Sequence, residues 1–266
     1  MDNIKMVALD LDGTLLKPDS TLSDYSIDVL RALDAKGIKV VICTGRLYEG
    51  ARYYTDRLGI ENPGIFCNGA QTRAVLDGKI LDERPLPLEV AQAAISLGES
   101  YGGQPRAYVD DRIYVSRLTE DDRRYSQWTR VAVEEVGNLA AFLAKAPLKL
   151  INCMPDPACL SPLLAKSKDF FGQRAYVTRS MSVFVEYMNP EATKGTGLKK
   201  LADRWQIDKK DIVVAGDHFN DLPMFEAAGL SIAPANAEEE VRARASVVSE
   251  GNQEDGVSRK LQELFL

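Results

Sequence analysis

The sequence predicts an α/β protein: a doubly wound, mainly parallel sheet interrupted by an inserted α+β domain. Three observations carry that prediction. Predominantly apolar runs near both ends of the chain end in polar or glycine-containing turns, as at Ile4–Leu9, Ile38–Cys43 and Asp211–Ala215. Strands of a parallel sheet are covered on both faces, so their hydrophobic alternation disappears. Helical stretches separate these runs, and between Pro85 and Asn189 the strand pattern changes to alternating.

The first strand spans Ile4 to Leu9 and stops at Asp10-Leu11-Asp12-Gly13-Thr14. In extended chain, residues i and i+2 point the same way, so Asp10 and Asp12 project together past the strand end. Ser23 caps a helix through Ile27, Leu30 and Leu33, with Gly37 as its stop. Ile38–Cys43 is a second buried strand ending at Thr44-Gly45-Arg46, and a helix from Leu47 to Leu58 closes at Gly59. Gly64–Cys67 is a third strand, ending at Asn68-Gly69-Ala70. Ligands of open α/β sheets bind outside the carboxyl ends of the strands, which is where these polar turns fall.

Beyond Pro85 the strands Arg106–Val109, Ile113–Ser116 and Ser182–Glu186 alternate, and Asp110-Asp111-Arg112 reads as a hairpin turn. Helices Leu88–Tyr101 and Ala158–Phe171 lie among them, which predicts an α+β layer with one exposed sheet face. Buried strands return at Asp211–Ala215, Gly229–Ala233 and Ala245–Ser249. The expected organisation is a core of residues 1–84 and 190–266 around an insertion of residues 85–189, with hinges near Pro85 and Asn189-Pro190.

Composition narrows the function. At 266 residues, 45% hydrophobic and 27% charged, the chain has the make-up of a soluble globular protein with room for a large core. Its net charge of −6, with no long Lys/Arg run, argues against a nucleic-acid partner. No segment reaches the roughly 18 uncharged apolar residues of a membrane span, and no basic, then apolar, leader opens the sequence. A cytoplasmic location is expected. Cys43, Cys67, Cys153 and Cys159 form no CxxC pair and read as small buried residues.

Four polar clusters stand at strand ends or a helix start: Asp10/Asp12, Thr44-Gly45-Arg46, Lys194, and Asp217 with Asn220 and Asp221. Singly, each has a structural explanation as a turn, a solvated lysine or a strand-ending bend. Together they suit phosphate chemistry. Clustered carboxylates match a hard divalent cation, and Mg²⁺ combines one or two of them with phosphate oxygens and water. A hydroxyl, backbone N–H groups and an ammonium can take the remaining phosphate oxygens. A carboxylate left to attack forms an aspartyl-phosphate, and a second can protonate the leaving alcohol and then activate water.

The set Asp10-Leu-Asp12-Gly13-Thr14, Thr44-Gly45-Arg46, Lys194 and Gly216-Asp217-His218-Phe219-Asn220-Asp221 resembles the four motifs of haloacid-dehalogenase-like phosphatases. The insertion between the second and third motifs resembles the Cof-type subgroup with a large α/β cap (type IIB) on a Rossmann-like core. Asn68-Gly69-Ala70, Ala235-Asn236-Ala237 and Glu254-Asp255-Gly256-Val257 are similar to segments of that subgroup. The resemblance implies Asp10 as nucleophile and Asp12 as general acid/base. It implies Mg²⁺ held by the Asp10 carboxylate, the Asp12 main-chain oxygen and Asp217, with Asp221 in support. It also implies phosphate bound by the Leu11 amide, Thr44, Gly45, Lys194 and Asn220.

Arg46 and Asn68 either touch substrate or tie loops together, and His218 has no role fixed by the pattern. Tyr108, Arg112, Tyr114 and Glu186 of the insertion are unranked candidates for contact with the leaving group. The expected activity is Mg²⁺-dependent hydrolysis of small phosphorylated metabolites, sugar phosphates foremost, by a monomer or small homo-oligomer. Phosphomannomutase-like transfer and a non-catalytic binding module are the alternatives. A receiver-type phosphoacceptor fits the long insertion and the DxDGT spacing poorly.

Overall fold

The computed structural model describes residues 4–266, save the side chains of Ser180 and Met181. Strand β1 (Met6–Leu9) leads to helix α1 (Asp24–Ala35), whose N-cap Ser23 accepts from the Ser26 N–H. There follow β2 (Lys39–Ile42), α2 (Tyr48–Leu58), β3 (Gly64–Phe66), β4 (Gln71–Arg73) and β5 (Ile80–Glu83). The middle of the chain forms α3 (Leu88–Ser100), β6 (Gln104–Val109), β7 (Arg112–Val115), α4 (Glu120–Thr129) and β8 (Val133–Glu135). It continues with α5 (Leu139–Phe142), β9 (Lys149–Cys153), α6 (Leu160–Phe171), β10 (Tyr176–Met181) and β11 (Phe184–Met188). The last part holds α7 (Lys194–Arg204), β12 (Ile212–Ala215), α8 (Leu222–Ala227), β13 (Leu230–Pro234), α9 (Glu239–Arg242), β14 (Val247–Ser249) and α10 (Gly256–Phe265). Among the described residues, no helix is long and apolar enough to cross a membrane.

Two units emerge from the contacts. One comprises the chain up to Gly45, Ala51–Asp82 and Thr193–Leu266; the other comprises Arg46–Gly50 and Glu83–Ala192. The first unit is built on a parallel sheet of order β14-β13-β12-β1-β2. Met6, Ala8, Val41, Ile212 and Val214 pack with Leu198 and Leu201 of α7 and with Met224 and Phe225 of α8. Burial on both faces explains the continuous apolar runs.

The chain leaves β1 for β2 on one side and returns to β12 on the other, so strand order reverses at β1, where a binding crevice opens. Register then decides what meets there. Leu9 lies opposite both Ile42 and Ala215, so the residues that follow all three strands emerge at one level.

The third strand departs from the expected arrangement. Among the described residues, β3 joins the sheet edge through an isolated parallel bridge, Cys43 to Ile65, and its main pairing is antiparallel to β4 in a separate sheet of order β3-β4-β5. The cause is local: Cys67, Asn68 and Gly69 have φ of 50°, 56° and 97°, which reverses the chain at once. Strands β4 and β5 escaped sequence reading because Gln71-Thr72-Arg73 and Ile80-Leu-Asp-Glu83 lack an apolar run.

In the second unit a six-stranded sheet runs β10-β11-β9-β6-β7-β8. The hairpin turn expected at Asp110-Asp111-Arg112 is made by Asp110 and Asp111, with φ of 48° and 60°, and Arg112 already begins β7. Ser182 and Val183 form a second turn, so the strand expected from Ser182 begins at Phe184. Ala107, Val109, Leu150, Val185 and Tyr187 pack with Val90, Ile95, Leu139 and Leu163 from α3, α5 and α6.

The opposite face was expected to be exposed, and it is not. Arg106, Tyr108, Lys149, Phe184 and Glu186 are all buried. Helix α4 supplies the reason. Asp122 accepts from Arg106 Nε at 2.8 Å, Tyr125 lies with its ring 4.3 Å from the guanidinium, and the Tyr125 hydroxyl bonds Tyr108 at 2.6 Å. Lys149 and Glu186 pair at 3.3 Å, so buried charges of both signs are matched. Helix α4 has a mean polarity that hides its role from periodicity, although Thr119 and Asp122 form a readable capping box.

Removing one partner of a buried ion pair strands the other charge. Asp122→Ala is therefore expected to destabilise the second unit by about 3–5 kcal/mol. Urea unfolding followed through Trp128 fluorescence measures this, and an unshifted midpoint contradicts the pairing.

Candidate active site

The site of interest lies wholly in the first unit. Asp10 follows β1, and its N–H donates to Ala215 O at 3.0 Å, which ties the strand end to β12. The next residues make a wide turn, Leu11–Leu15, closed by the Leu16 N–H to Leu11 O at 2.8 Å. Leu11 is buried within it and Asp12 is half-buried. Gly13 takes φ 80°, and a Cβ there would lie 2.2 Å from Asp217 Oδ2. Only glycine lets the Asp217 carboxylate approach this closely. The Thr14 hydroxyl donates to Asp217 Oδ1 at 3.1 Å and holds it there.

Lys194 is the first residue of α7, entered through a capping box between Thr193 and Thr196. Its ammonium is buried, 2.5 Å from Asp10 Oδ1 and 2.5 Å from Asp221 Oδ1. Asp221 Oδ2 accepts from the backbone N–H groups of Asp217 and His218, each at 2.9 Å. Gly216 is again a steric requirement, since a Cβ would fall 2.4 Å from the Asp221 side chain. Carboxylate oxygens of Asp10, Asp217 and Asp221 lie within 4.8 Å of one another and could hold a metal ion. All three donors are hard oxygens, the kind that Mg²⁺ and Ca²⁺ prefer.

The electrostatics show a deficit of positive charge. Burial pushes the Asp10 carboxyl up to about 7 against the pull of Lys194, with Asp221 and Asp12 adding to the rise. Burial, then Asp10 and Asp221, holds Asp217 well above the carboxylate range. Burial works to lower Lys194, but Asp10 and Asp221 outweigh it and keep the ammonium above its ordinary value. One ammonium cannot neutralise three carboxylates, so the cluster calls for a proton or a cation.

The other sequence-derived candidates divide. Thr44 lies two residues past the end of β2, is buried, and its O accepts from the Asn68 N–H at 3.0 Å; Gly45 follows it. Asn220 is buried and donates to Asn68 Oδ1 at 2.9 Å. His218 Nε2 lies 3.4 Å from Glu238, outside the acidic trio.

Arg46 belongs to the second unit, where its guanidinium lies 5.0 Å over the Trp128 ring and donates to Trp128 O. Glu186 sits on β11 and pairs with Lys149, on the same sheet face as Tyr108 and Arg106. Tyr114 is on the opposite face against Phe142, and Arg112 is exposed beside Glu134.

Asn236, quoted above within Ala235-Asn236-Ala237 but given no role there, donates to Gly13 O at 2.7 Å and accepts from the Asn252 N–H at 2.8 Å. No local pattern marks such a brace from 223 residues away.

A family model described as haloacid dehalogenase-like hydrolase matches residues 7–261. The chain belongs to the haloacid dehalogenase-like hydrolases. Among curated members of known name, it is similar to the 5-amino-6-(5-phospho-D-ribitylamino)uracil phosphatase YitU of Bacillus subtilis strain 168. The two are 30% identical, over 98% of this chain and 97% of the relative. It is also similar to the pyridoxal phosphate phosphatase YbhA of Escherichia coli strain K12, 28% identical over 96% of each. A solved subclass IIB sugar phosphatase of the superfamily shares the fold, with TM-score 0.83 and 21% identity over 98% of both chains. As in other dehalogenase-like hydrolases of this fold, the parallel sheet carries an additional α+β unit within the chain.

The raised Asp10 carboxyl has a consequence for stability. Between its ordinary 3.8 and about 7, the folded chain retains a proton that the unfolded chain has lost, so stability falls as pH rises through this window. In metal-free buffer, Asp10→Asn is expected to melt higher than the wild type at pH 8, with the gap closing towards pH 4. Differential scanning calorimetry in EDTA checks this, and equal melting at pH 8 contradicts it.

Proposed function

We propose that this hydrolase is a Mg²⁺-dependent phosphatase of small phosphorylated metabolites, sugar phosphates foremost, working through an aspartyl-phosphate on Asp10. The observation that carries the reading is the Asp10 carboxylate at a strand end, 2.5 Å from a buried Lys194 and clustered with Asp217 and Asp221. Asp10 attacks phosphorus, and the bond from phosphorus to the ester oxygen breaks. Asp12 protonates the departing oxygen, yielding the free alcohol. Asp12 then accepts a proton from water as the water oxygen attacks phosphorus; the bond to Asp10 breaks and inorganic phosphate leaves.

The buried Lys194 ammonium supplies fixed positive charge to the phosphoryl oxygens, and such charge acts more strongly away from bulk solvent. Thr44, Gly45, the Leu11 amide and Asn220 bind the remaining oxygens. Mg²⁺ would be held by the Asp10 carboxylate, the Asp12 main-chain oxygen and Asp217, and would neutralise charge on the transferring group. Asp221 supports this set from behind. Its oxygens already accept from Lys194 and from two backbone N–H groups, which suits an orienting role better than direct ligation.

The second unit, residues 85–189 in the sequence-based division, acts as the cap that selects the leaving group. Curated relatives named for a phosphorylated ribitylaminouracil and for pyridoxal phosphate support a small-metabolite substrate.

Asp10→Asn is expected to lower kcat by at least about 10⁴-fold while leaving the fold intact. Phosphate release from a panel of esters measures it, and wild-type-like turnover in protein checked for deamidation refutes the nucleophile. EDTA should abolish activity and Mg²⁺ restore it. Unchanged rates in metal-free buffer overturn the cation's part.

A further inference from the structure

Residues Cys67, Asn68 and Gly69 all have positive φ, a conformation that disfavours ordinary side chains and that Asn tolerates better than most. Such a run persists only where the surroundings hold it, and it clusters at functional sites. Here the surroundings are three of the phosphate-site segments. A Cβ on Gly69 would lie 2.1 Å from Thr193 O, immediately before Lys194. The Asn68 N–H donates to Thr44 O. Asn68 Oδ1 would lie 3.0 Å from a Cβ on Gly45, so Gly45 leaves room for it.

The side chain of Asn68, 1% exposed, has a more pointed contact: its Oδ1 accepts from Asn220 Nδ2 at 2.9 Å. Asn220 Oδ1 is buried without a hydrogen-bond partner among the described residues. An amide has two ends of opposite polarity. Its N–H end attracts a phosphate oxygen, whereas its C=O end repels one. Whichever way the Asn220 amide turns therefore matters to an anion beside it.

We propose that Asn68 is a positioning residue that acts through Asn220. By accepting one Nδ2 hydrogen it fixes the orientation of that amide and leaves the second N–H for the phosphoryl group. The inference rests on the reading of Asn220 as a phosphate-binding residue. It assigns Asn68 to the phosphate site at one remove, in place of direct substrate contact.

A double-mutant cycle separates these roles, because residues that act through one another are not additive. The proteins are wild type, Asn68→Gly, Asn220→Ala and the double variant. Glycine keeps the positive φ while removing the amide. Each protein is assayed for kcat and KM with p-nitrophenyl phosphate and Mg²⁺, for inorganic phosphate affinity by calorimetry, and for Tm.

Asn68→Gly is expected to weaken phosphate affinity and kcat/KM by about 10- to 100-fold with Tm nearly kept. In the Asn220→Ala background it should add less than about threefold. Wild-type-like behaviour of Asn68→Gly, or a full multiplicative loss in the double variant, overturns the proposal. If Asn68→Gly does not fold, Asn68→Ser replaces it in the cycle, and failure of both makes Asn68 a residue of the fold alone.

A wild type that binds phosphate but hydrolyses no ester defeats the phosphatase reading while the cycle in phosphate affinity still judges Asn68. An Asn220→Ala variant with wild-type phosphate affinity defeats the phosphate-binding reading of Asn220 and, with it, the role given to Asn68.

Discussion

A buried ammonium between two carboxylates organises this molecule. Lys194 is buried away from solvent, and its charge is compensated by Asp221 and Asp10, each 2.5 Å away, with one carboxylate more than a single ammonium needs. That pairing joins the start of α7 to the ends of β1 and β12, segments up to 184 residues apart in sequence. The parallel register makes the meeting possible, since Leu9 pairs with both Ile42 and Ala215. Around it, glycines at 13 and 216 clear the space that lets carboxylates crowd together.

Crowding of this kind stores function in electrostatic imbalance. The first unit assembles three carboxylates against one ammonium, and Asp10 is held near neutrality by burial in spite of Lys194. A divalent cation relieves such a site and frees the carboxylate that would otherwise keep its proton. The second unit solves the same problem differently. Its buried Arg106 and Lys149 are matched one for one by Asp122 and Glu186, and aromatic rings flank both cations. Balanced pairs let the second unit bury its charges, whereas the unbalanced cluster leaves the first unit with a local excess of negative charge.

Much of this was legible in the residues. Largely apolar, unalternating runs at Ile4–Leu9, Ile38–Cys43 and Asp211–Ala215 marked doubly covered parallel strands, found at Met6–Leu9, Lys39–Ile42 and Ile212–Ala215, and the polar turns after them marked the edge where ligands of such sheets bind. Local rules also held at Ser23, which caps α1, and at Asp110-Asp111, which turn a hairpin. These features depend on neighbours a few residues away, and sequence records such neighbours directly.

Long-range partners are another matter. Nothing in Gln71-Thr72-Arg73 announces a strand, because its pairing is imposed by the reversal at Cys67–Gly69. Polar helix α4 gives no sign that it buries the charged face of the second sheet, since that burial becomes acceptable only when Asp122 meets Arg106. The bond from Asn220 to Asn68 and the brace from Asn236 to Gly13 likewise join segments that no period or spacing connects. Sequence alone therefore determined the strand ends and the chemical groups they carry. Tertiary structure decided which charges are paired and which amides face one another, because those depend on distances through space that chain order does not encode.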